Sequence, residues 1–243
     1  IMAVEKSTMQ DMTVGSPVRH ILKFFFPLLF GMLFQQFYSL VDTAIVGRFL
    51  GPDALAAVGA TGSVNFLVLG FCMGVCNGFA IPVAQKFGEK DYDGLRRFVA
   101  NSVWLSAIFA VVMTVVVCIL CNQIMIWMDT PADIIDQSYQ YIFIIFLGIP
   151  VTYLYNLLSG LMRALGDSKT PLVFLIISSV LNIIFDLLAI IVFHLGVAGA
   201  AGATVLAQLI SGVLCLLTMK KKFPLLKLEK SHWKWNGHCV AKL

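Results

Sequence analysis

Residues 21–46 read ILKFFFPLLFGMLFQQFYSLVDTAIV, an apolar stretch long enough to cross a membrane as a single helix. Near its end lies Asp42, and a second carboxylate, Asp186, ends the equally apolar run LNIIFD. A charged side chain at the centre of a bilayer costs roughly 2.5–3.5 kcal/mol on insertion scales, so it is rare there and usually functional. Asp42 and Asp186 are therefore the first candidates for an ion-coupling site in a transporter.

Five further segments have the same apolar character as residues 21–46. The chain of 243 residues is 59% hydrophobic and only 12% charged, whereas a soluble domain carries about 25% charged residues. Apolar runs of this length exclude buried strands of a soluble protein. The sequence predicts an all-α polytopic membrane protein with a bundle of six transmembrane helices. The predicted helices cover about residues 21–46, 54–83, 99–121, 138–159, 171–193 and 197–219.

The distribution of basic residues predicts the orientation of these helices. All of the 17 Lys and Arg residues except Arg48 fall on one side of the predicted membrane. By the positive-inside rule, that side is cytoplasmic and carries both termini, which are the segment 1–16 and the basic tail 223–243. The six-helix lobe between them spans residues 17–222. The net charge of +4 reflects this topology and indicates no nucleic-acid partner.

Helix rise places several polar residues at one depth in the outer half of the membrane. Asp42 lies roughly 9 Å, and Asp186 roughly 12 Å, from the outer end of its helix, at ~1.5 Å per residue. Thr204 lies roughly 10 Å inside the last helix. Asn182 and Tyr38 each lie one turn from an aspartate on the same helix face. These groups supply oxygen ligands for Na⁺, or a desolvated carboxyl group that holds a proton.

Other interpretations of these residues remain open. Thr204 or Tyr38 alone is more often a packing or hydrogen-bonding residue, and Asp186 could simply hydrogen-bond Asn182 when protonated. Asp42 is harder to explain structurally, because no Lys, Arg or His lies at its depth to pair with it. Gly70, Gly74 and Gly78 recur every fourth residue and predict the close approach of another helix.

The sequence carries no enzyme signature. The run Gly166–Thr170 lacks the spacing and preceding strand of a phosphate loop, and no zinc-protease or serine-nucleophile motif occurs. Five of the six cysteines fall within predicted helices, where they behave as small hydrophobic residues. We therefore expect no enzyme activity, no cofactor, and no metal beyond a possible Na⁺ at the coupling site.

Three groups of motifs resemble one family, the multidrug and toxic compound extrusion (MATE) transporters. They lie at the end of the first predicted helix and in the loops after the second and fourth, namely Val41–Arg48 with Ala54–Gly59, Ala84–Gly88 with Arg96 and Arg97, and Gly160–Asp167 with Pro171. The resemblance runs over nearly all of residues 17–230. It implies export of organic, often cationic and aromatic, compounds across the plasma membrane of a bacterium, driven by inward H⁺ or Na⁺.

The same resemblance assigns roles to individual residues. Asp42, Asn182, Asp186 and Thr204 match the family's cation site, and Pro27 matches a proline at which the first helix bends. Tyr38 and Asn156 match residues of the substrate cavity, and Gln35 is a further candidate to line it. The family has twelve helices in two lobes, whereas this sequence shows one lobe. We therefore expect either a truncated chain that lacks its C-terminal lobe or a half-transporter that pairs with a second copy.

Two other functional classes fit a six-helix membrane lobe. A flippase for lipid-linked oligosaccharides has related architecture, but it should show a strongly cationic cavity, and the sequence places no Lys or Arg inside the membrane. A non-transporting assembly protein would explain a single lobe and would be indifferent to neutralisation of both aspartates. Substrate identity and the choice between H⁺ and Na⁺ are not encoded in any motif.

Overall fold

All regular structure in the described part of the chain is helical, as expected where a membrane leaves backbone groups no other partners. The computed structural model describes residues 17–226, 228–229, 232–233, 237–240 and 243. The predicted N-terminal segment 1–16 and all four lysines of the basic tail 223–243 lie outside these ranges. Nine α-helices occur within them: α1 Pro17–Leu50, α2 Pro52–Ala60, α3 Gly62–Gly88, α4 Tyr92–Trp127, α5 Ile135–Leu147, α6 Ile149–Ala164, α7 Lys169–Leu187, α8 Gly196–Lys222 and α9 Gly237–Val240.

The helices confirm the predicted fold class of a six-span membrane protein. Five of them, α1, α3, α4, α7 and α8, are long and apolar enough to cross a membrane. Helices α5 and α6 form a sixth span if they are counted together, with a bend of 46° between them. Helices α1, α4 and α8 run longer at both ends than the sequence suggested, because apolar composition does not show where a helix continues into the interface.

Thr61 divides the segment 54–83, which we expected to form one helix. Helix α2 ends at Ala60 and α3 begins at Gly62, so the membrane span starts later than predicted. The Thr61 backbone N–H and its Oγ1 donate to the Val58 carbonyl at 3.2 and 2.7 Å. A threonine side chain that bonds a nearby carbonyl competes with the helical ladder, and the glycines at 59 and 62 weaken helix formation further.

Gly148 divides the fourth predicted helix, 138–159, at the bend between α5 and α6. Pro150 follows two residues later and has no N–H to donate, and its ring crowds the preceding turn. The Gly148 N–H is shared between the carbonyls of Ile144 and Ile145, at 3.1 and 3.0 Å. These two residues account for a kink that an apolar pattern alone does not reveal.

The fifth predicted helix, 171–193, changes its pitch directly after Asp186. Helix α7 ends at Leu187, and a π-helical turn covers Leu188–Val192. The Phe193 N–H donates to the Leu188 carbonyl at 3.0 Å, which is the wider i→i+5 spacing of a π turn. Such turns are rare and occur frequently at functional sites.

Two clusters of buried side chains hold the helices together. The larger cluster joins α3, α4, α5, α6 and α8 around Tyr153, Phe146 and Leu161. The smaller cluster lies at the predicted outer end and joins α1, α2, α5 and α8 around Val46, Ile145 and Ala200. Asp42 and Asp186 lie beside this smaller cluster, so apolar side chains surround the carboxylates.

A network of hydrogen bonds joins α7 and α8 at the predicted cytoplasmic end. Asp167 lies in the loop before α7, and its carboxylate accepts bonds from the Thr170 N–H and hydroxyl and from Lys222 Nζ, at 3.0, 2.6 and 2.9 Å. Burial favours a higher pKa for Asp167, but the bonds from Thr170 and Lys222 outweigh burial and lower the pKa below its usual value. This network therefore fixes the inner ends of α7 and α8 relative to each other.

Residues after α8 fold back onto the inner end of α4. The Arg96 Nε donates to the Leu225 carbonyl at 2.8 Å, and the Trp104 Nε1 donates to the Trp233 carbonyl at 3.3 Å. His232 is buried, and its Nδ1 accepts the Glu229 N–H at 3.0 Å. Its Nε2, which then carries the proton, donates to Asp93 at 2.9 Å. The tail predicted at 223–243 is thus attached to α4 through its described residues.

The glycines of α3 do not pack against another helix of this lobe. A methyl group added to Gly70, Gly74 or Gly78 would meet no atom within 4 Å. The expected close helix approach is therefore wrong for the described part of the chain. The spacing identified a smooth helix face correctly, but spacing does not indicate which helix, if any, covers that face.

Candidate functional site

Asp42 of α1 and Asp186 of α7 face each other inside the lobe. Asp42 is 8% exposed and Asp186 is fully buried. Their carboxyl groups are close enough for one to hydrogen-bond the other when one is protonated. One oxygen of each, Oδ1, is buried without a hydrogen-bond partner. Because buried polar atoms are normally paired, these two oxygens indicate a site that takes up a proton or a cation.

Asn182 and Thr204 connect this pair to α8. We orient the Asn182 amide so that its nitrogen donates to Asp186 Oδ2 at 3.1 Å. Its oxygen then accepts from the Thr204 hydroxyl and N–H, both at 3.1 Å. The opposite orientation would set the amide oxygen against a carboxylate and the amide nitrogen against an N–H donor. The Thr204 hydroxyl is also 3.2 Å from the Ala200 carbonyl of its own helix.

Two tyrosine hydroxyl groups complete the cluster. Tyr38, one turn before Asp42, reaches hydrogen-bonding range of Thr204 and lies close to both carboxylates. Tyr141 of α5 is buried, and its hydroxyl lies near Asp42, Asp186 and Tyr38. The sequence reasoning named Tyr38 but missed Tyr141. Tyr141 is the fourth residue of the predicted helix 138–159, which places it in the outer half of the membrane. That depth could have identified it as a candidate for the site.

The other residues predicted for the site lie outside this cluster. Asn156 is half-buried in α6, and its Nδ2 donates to the Thr152 carbonyl at 2.8 Å. Gln35 is exposed on α1. Pro27 lies inside α1, and the helix continues without interruption on both sides of this predicted hinge.

The donor set suits a small hard cation or a proton. Carboxylate, amide and hydroxyl oxygens are the ligands that hard cations prefer. Among the described residues, no three His, Cys, Asp or Glu side chains converge as a metal site, so a bound Na⁺ would rely on two carboxylates and neutral oxygens. A cavity of about 330 Å³ between the inner ends of α3 and α4, lined by Pro82, Lys86 and Phe98 among others, lies away from this cluster and is not part of the site.

Arg163 corrects the expectation that no cationic side chain lies inside the membrane. It lies in the last turn of α6, but its Nη2 donates to Asn77 Oδ1 at 3.1 Å. Asn77 is eleven residues before the end of α3, or about 16 Å along the helix. The guanidinium therefore extends toward the membrane interior, because helical side chains point toward the N-terminus of their helix.

Comparison with known proteins places this arrangement in a family. The MatE family model matches residues 27–188, which include both aspartates and Asn182. This chain belongs to the MatE family. The resemblance inferred from the motifs is therefore confirmed, as is the predicted location of the chain as a multi-pass protein of a plasma membrane.

Two curated relatives of this MatE chain are proteins of Bacillus subtilis about twice its length. It is 32% identical over 217 residues to the probable multidrug resistance protein YoeA of Bacillus subtilis strain 168, covering 88% of the chain and 47% of that protein. It is also 32% identical to the probable multidrug resistance protein YpnP of the same organism, covering 82% and 44%. The chain thus spans about half the length of the curated relatives it matches.

Solved MATE structures have the same fold as this lobe. A crystal structure of MATE in the straight conformation matches with a TM-score of 0.86 at 24% identity, covering 96% of this chain and 52% of that one. A crystal structure in the bent conformation matches with a TM-score of 0.83 at 25% identity, covering 93% and 50%. The coverage agrees with the predicted fold class, one lobe of a two-lobe architecture.

Proposed function

We propose that this chain is the ion-coupling lobe of a secondary transporter that exports organic, often cationic and aromatic, compounds in exchange for H⁺ or Na⁺. The observation that carries the proposal is the pair Asp42 and Asp186, two buried carboxylates that face each other with one unpartnered oxygen each. Two adjacent negative charges in an apolar surround are strongly unfavourable, so the pair needs a proton or a cation.

Binding and release of this cation would supply the coupling. A bound proton or Na⁺ halves the negative charge of the pair and lets α1 and α7 approach, whereas loss of the cation restores the full repulsion between the carboxylates. In this proposal α1 bends at Pro27 when the pair holds its cation and narrows a cavity lined by Tyr38, Gln35 and Asn156. Organic substrate is thereby displaced outward, and alternating access recharges the site.

A complete substrate path requires a second lobe. The curated relatives that share this lobe are about twice as long, and YoeA is described as a probable multidrug resistance protein. The partner would be either a C-terminal lobe or a second copy of this chain. The lipid bilayer is the other partner, and transport, not enzyme catalysis, is the activity proposed.

The two alternative functions fit less well. The guanidinium of Arg163 is a single cation bound to Asn77, which falls short of the strongly cationic cavity that a flippase for lipid-linked oligosaccharides needs. A non-transporting assembly protein would have no use for two buried carboxylates with unpartnered oxygens.

Neutralising one carboxylate tests the proposal. Asp42→Asn should abolish cation-driven export of an aromatic cation such as ethidium from cells that express the gene product, while membrane insertion stays intact. In the purified chain, the same change should abolish the proton release that accompanies Na⁺ binding. If H⁺ is the only coupling ion, the change should instead abolish the uptake of a proton by the pair. Asp136→Asn is the matched control, because Asp136 is exposed in the first turn of α5. Full export by Asp42→Asn would refute the proposal.

A further inference from the structure

The bend between α5 and α6 is filled by a side chain from α8. A methyl group on Gly148 would overlap Val205 Cγ2 and would lie 3.1 Å from both Val205 Cγ1 and the Ile145 carbonyl oxygen. Valine is stiff about its first side-chain torsion, so it cannot easily rotate away from such a group. Because Gly148 has no side chain, Val205 packs directly against the bend. The size of Val205 therefore sets how closely α8 approaches the bend.

A hydrogen bond joins the same helices one turn further on. The Thr152 hydroxyl donates to Gln208 Oε1 at 3.0 Å. The carbonyl of Thr152 in turn accepts from Asn156 Nδ2 at 2.8 Å. Gln208 of α8 is thus connected, through one residue, to the predicted cavity residue Asn156.

These contacts start from the turn of α8 that is connected to the carboxylate pair through Asn182. Thr204, which bonds Asn182, directly precedes Val205, and Gln208 lies one turn later on the same face of α8 as Thr204. An intact helical turn moves as a rigid unit, so a displacement of Thr204 displaces Val205 and Gln208 with it. The bend can respond because Pro150 donates no hydrogen bond and the Gly148 N–H is shared between two carbonyls.

We infer that Val205 and Gln208 are positioning residues that transmit the state of the Asp42–Asp186 pair to the Gly148 bend, and so set the position of Asn156. This inference rests on the proposed function, since it needs a pair that changes its charge. The coupled element is the α5–α6 span, a bent helix whose angle differs between the two charge states. Ion binding would then act on the cavity from two sides, through α1 and through α5–α6.

Hydrogen–deuterium exchange of the full chain in lipid nanodiscs tests the inference at a single pD. Asp186→Asn serves as a mimic of the pair in which Asp186 holds the proton. Relative to the unchanged chain, it should alter amide exchange in residues 144–156 by about fivefold or more, the lower range of ordinary coupling between sites. With Gln208→Leu and Val205→Ala added, that change in 144–156 should be lost, while the change in residues 36–46 of α1 persists.

The outcomes separate this inference from the proposed function. A response in α1 without one in residues 144–156, or a response in 144–156 that survives both changes on α8, overturns the inference and leaves the coupling site intact. No response in either region overturns the inference together with the switching role of the carboxylate pair.

A size-complementary pair gives a second test that does not depend on charge. Gly148→Ala alone should change the amide exchange rates of residues 144–156. Gly148→Ala combined with Val205→Ala should restore the rates of the unchanged chain. Gly59→Ala is the matched control, because a methyl group there meets no atom within 4 Å. If the double variant behaves like Gly148→Ala alone, Val205 does not set the bend and the inference fails.

Discussion

Each aspartate of the site is held by different partners, and this difference suggests different roles. Asp186 is fully buried and receives a hydrogen bond from Asn182, which is itself held by Thr204. Asp42 is slightly exposed and lies on α1, the helix with Pro27. Asp186 therefore provides the fixed half of the site, whereas Asp42 is the half that α1 can carry toward or away from it.

Tyr141 should contribute to ion affinity, because its buried hydroxyl lies near both carboxylates. Tyr141→Phe removes that dipole and keeps the ring, so we expect cation binding to weaken about tenfold, or ~1.4 kcal/mol. The measurement is Na⁺ or proton binding by the purified chain. Tyr139→Phe is the control, since Tyr139 of the same helix stacks on Phe143 at 5.5 Å instead. Equal affinity in Tyr141→Phe and the unchanged chain would exclude this role.

The sequence was a good guide to residues whose positions depend only on helix rise. Asp42, Asp186 and Thr204 could be set at one depth by counting residues from the helix ends, and the structure brings all three together. Tyr141 was missed because a single tyrosine in an apolar helix has many structural explanations. The direction of the Arg163 side chain was also missed, because residue counting locates a Cα atom and not the end of a long side chain.

At the scale of elements, the irregularities were the part that sequence did not predict. The break at Thr61, the bend at Gly148 and the π turn at Leu188–Val192 all fall inside long apolar runs. Such runs carry no alternation between apolar and polar faces, so a change of pitch or direction leaves no trace in the pattern. Pro150 was visible in the sequence, but the effect of a proline depends on the neighbours that surround it.

The π turn should depend on a close contact with α8. A methyl group on Gly199 would lie 2.8 Å from Leu195 Cβ and 3.0 Å from Ala189 Cβ, so the π turn must shift to accept it. We expect Gly199→Ala to lower the free energy of unfolding by about 1–3 kcal/mol, as overpacking does. Thermal unfolding in detergent measures the change. Gly202→Ala on the same helix meets open space and should be neutral or slightly stabilising. Similar losses in the two variants would contradict the contact argument.

At the scale of the whole molecule, polar contacts hold the lobe at both ends and apolar packing holds it between. The carboxylate cluster joins α1, α7 and α8 at the predicted outer end. Asp167 and Lys222 join α7 and α8 at the inner end, and the residues after α8 attach to α4. Motion during transport is therefore expected in α1 and α5–α6, which these inner contacts do not include.

The attachment of the tail to α4 depends on His232. His232→Ala removes the bonds to Asp93 and to the Glu229 N–H, so trypsin should cleave after Lys227 and Lys230 about fivefold faster. Limited proteolysis of the purified chain measures the rate. Glu229→Gln keeps the backbone N–H and is the matched control. An unchanged rate in His232→Ala would show that Arg96 and Trp104 hold the tail without it.

The π turn after Asp186 also has a consequence for how this gene can change. A π turn contains about one residue more than an α turn of the same height, so the loss of a single codon between positions 188 and 192 would restore regular pitch without moving either end of the helix. The residues on both sides of the deletion would keep the faces that they present now, because the π turn holds its extra residue as a bulge. The smallest possible in-frame mutation could therefore remove the wide turn beside Asp186 and leave every charged residue of the protein in place.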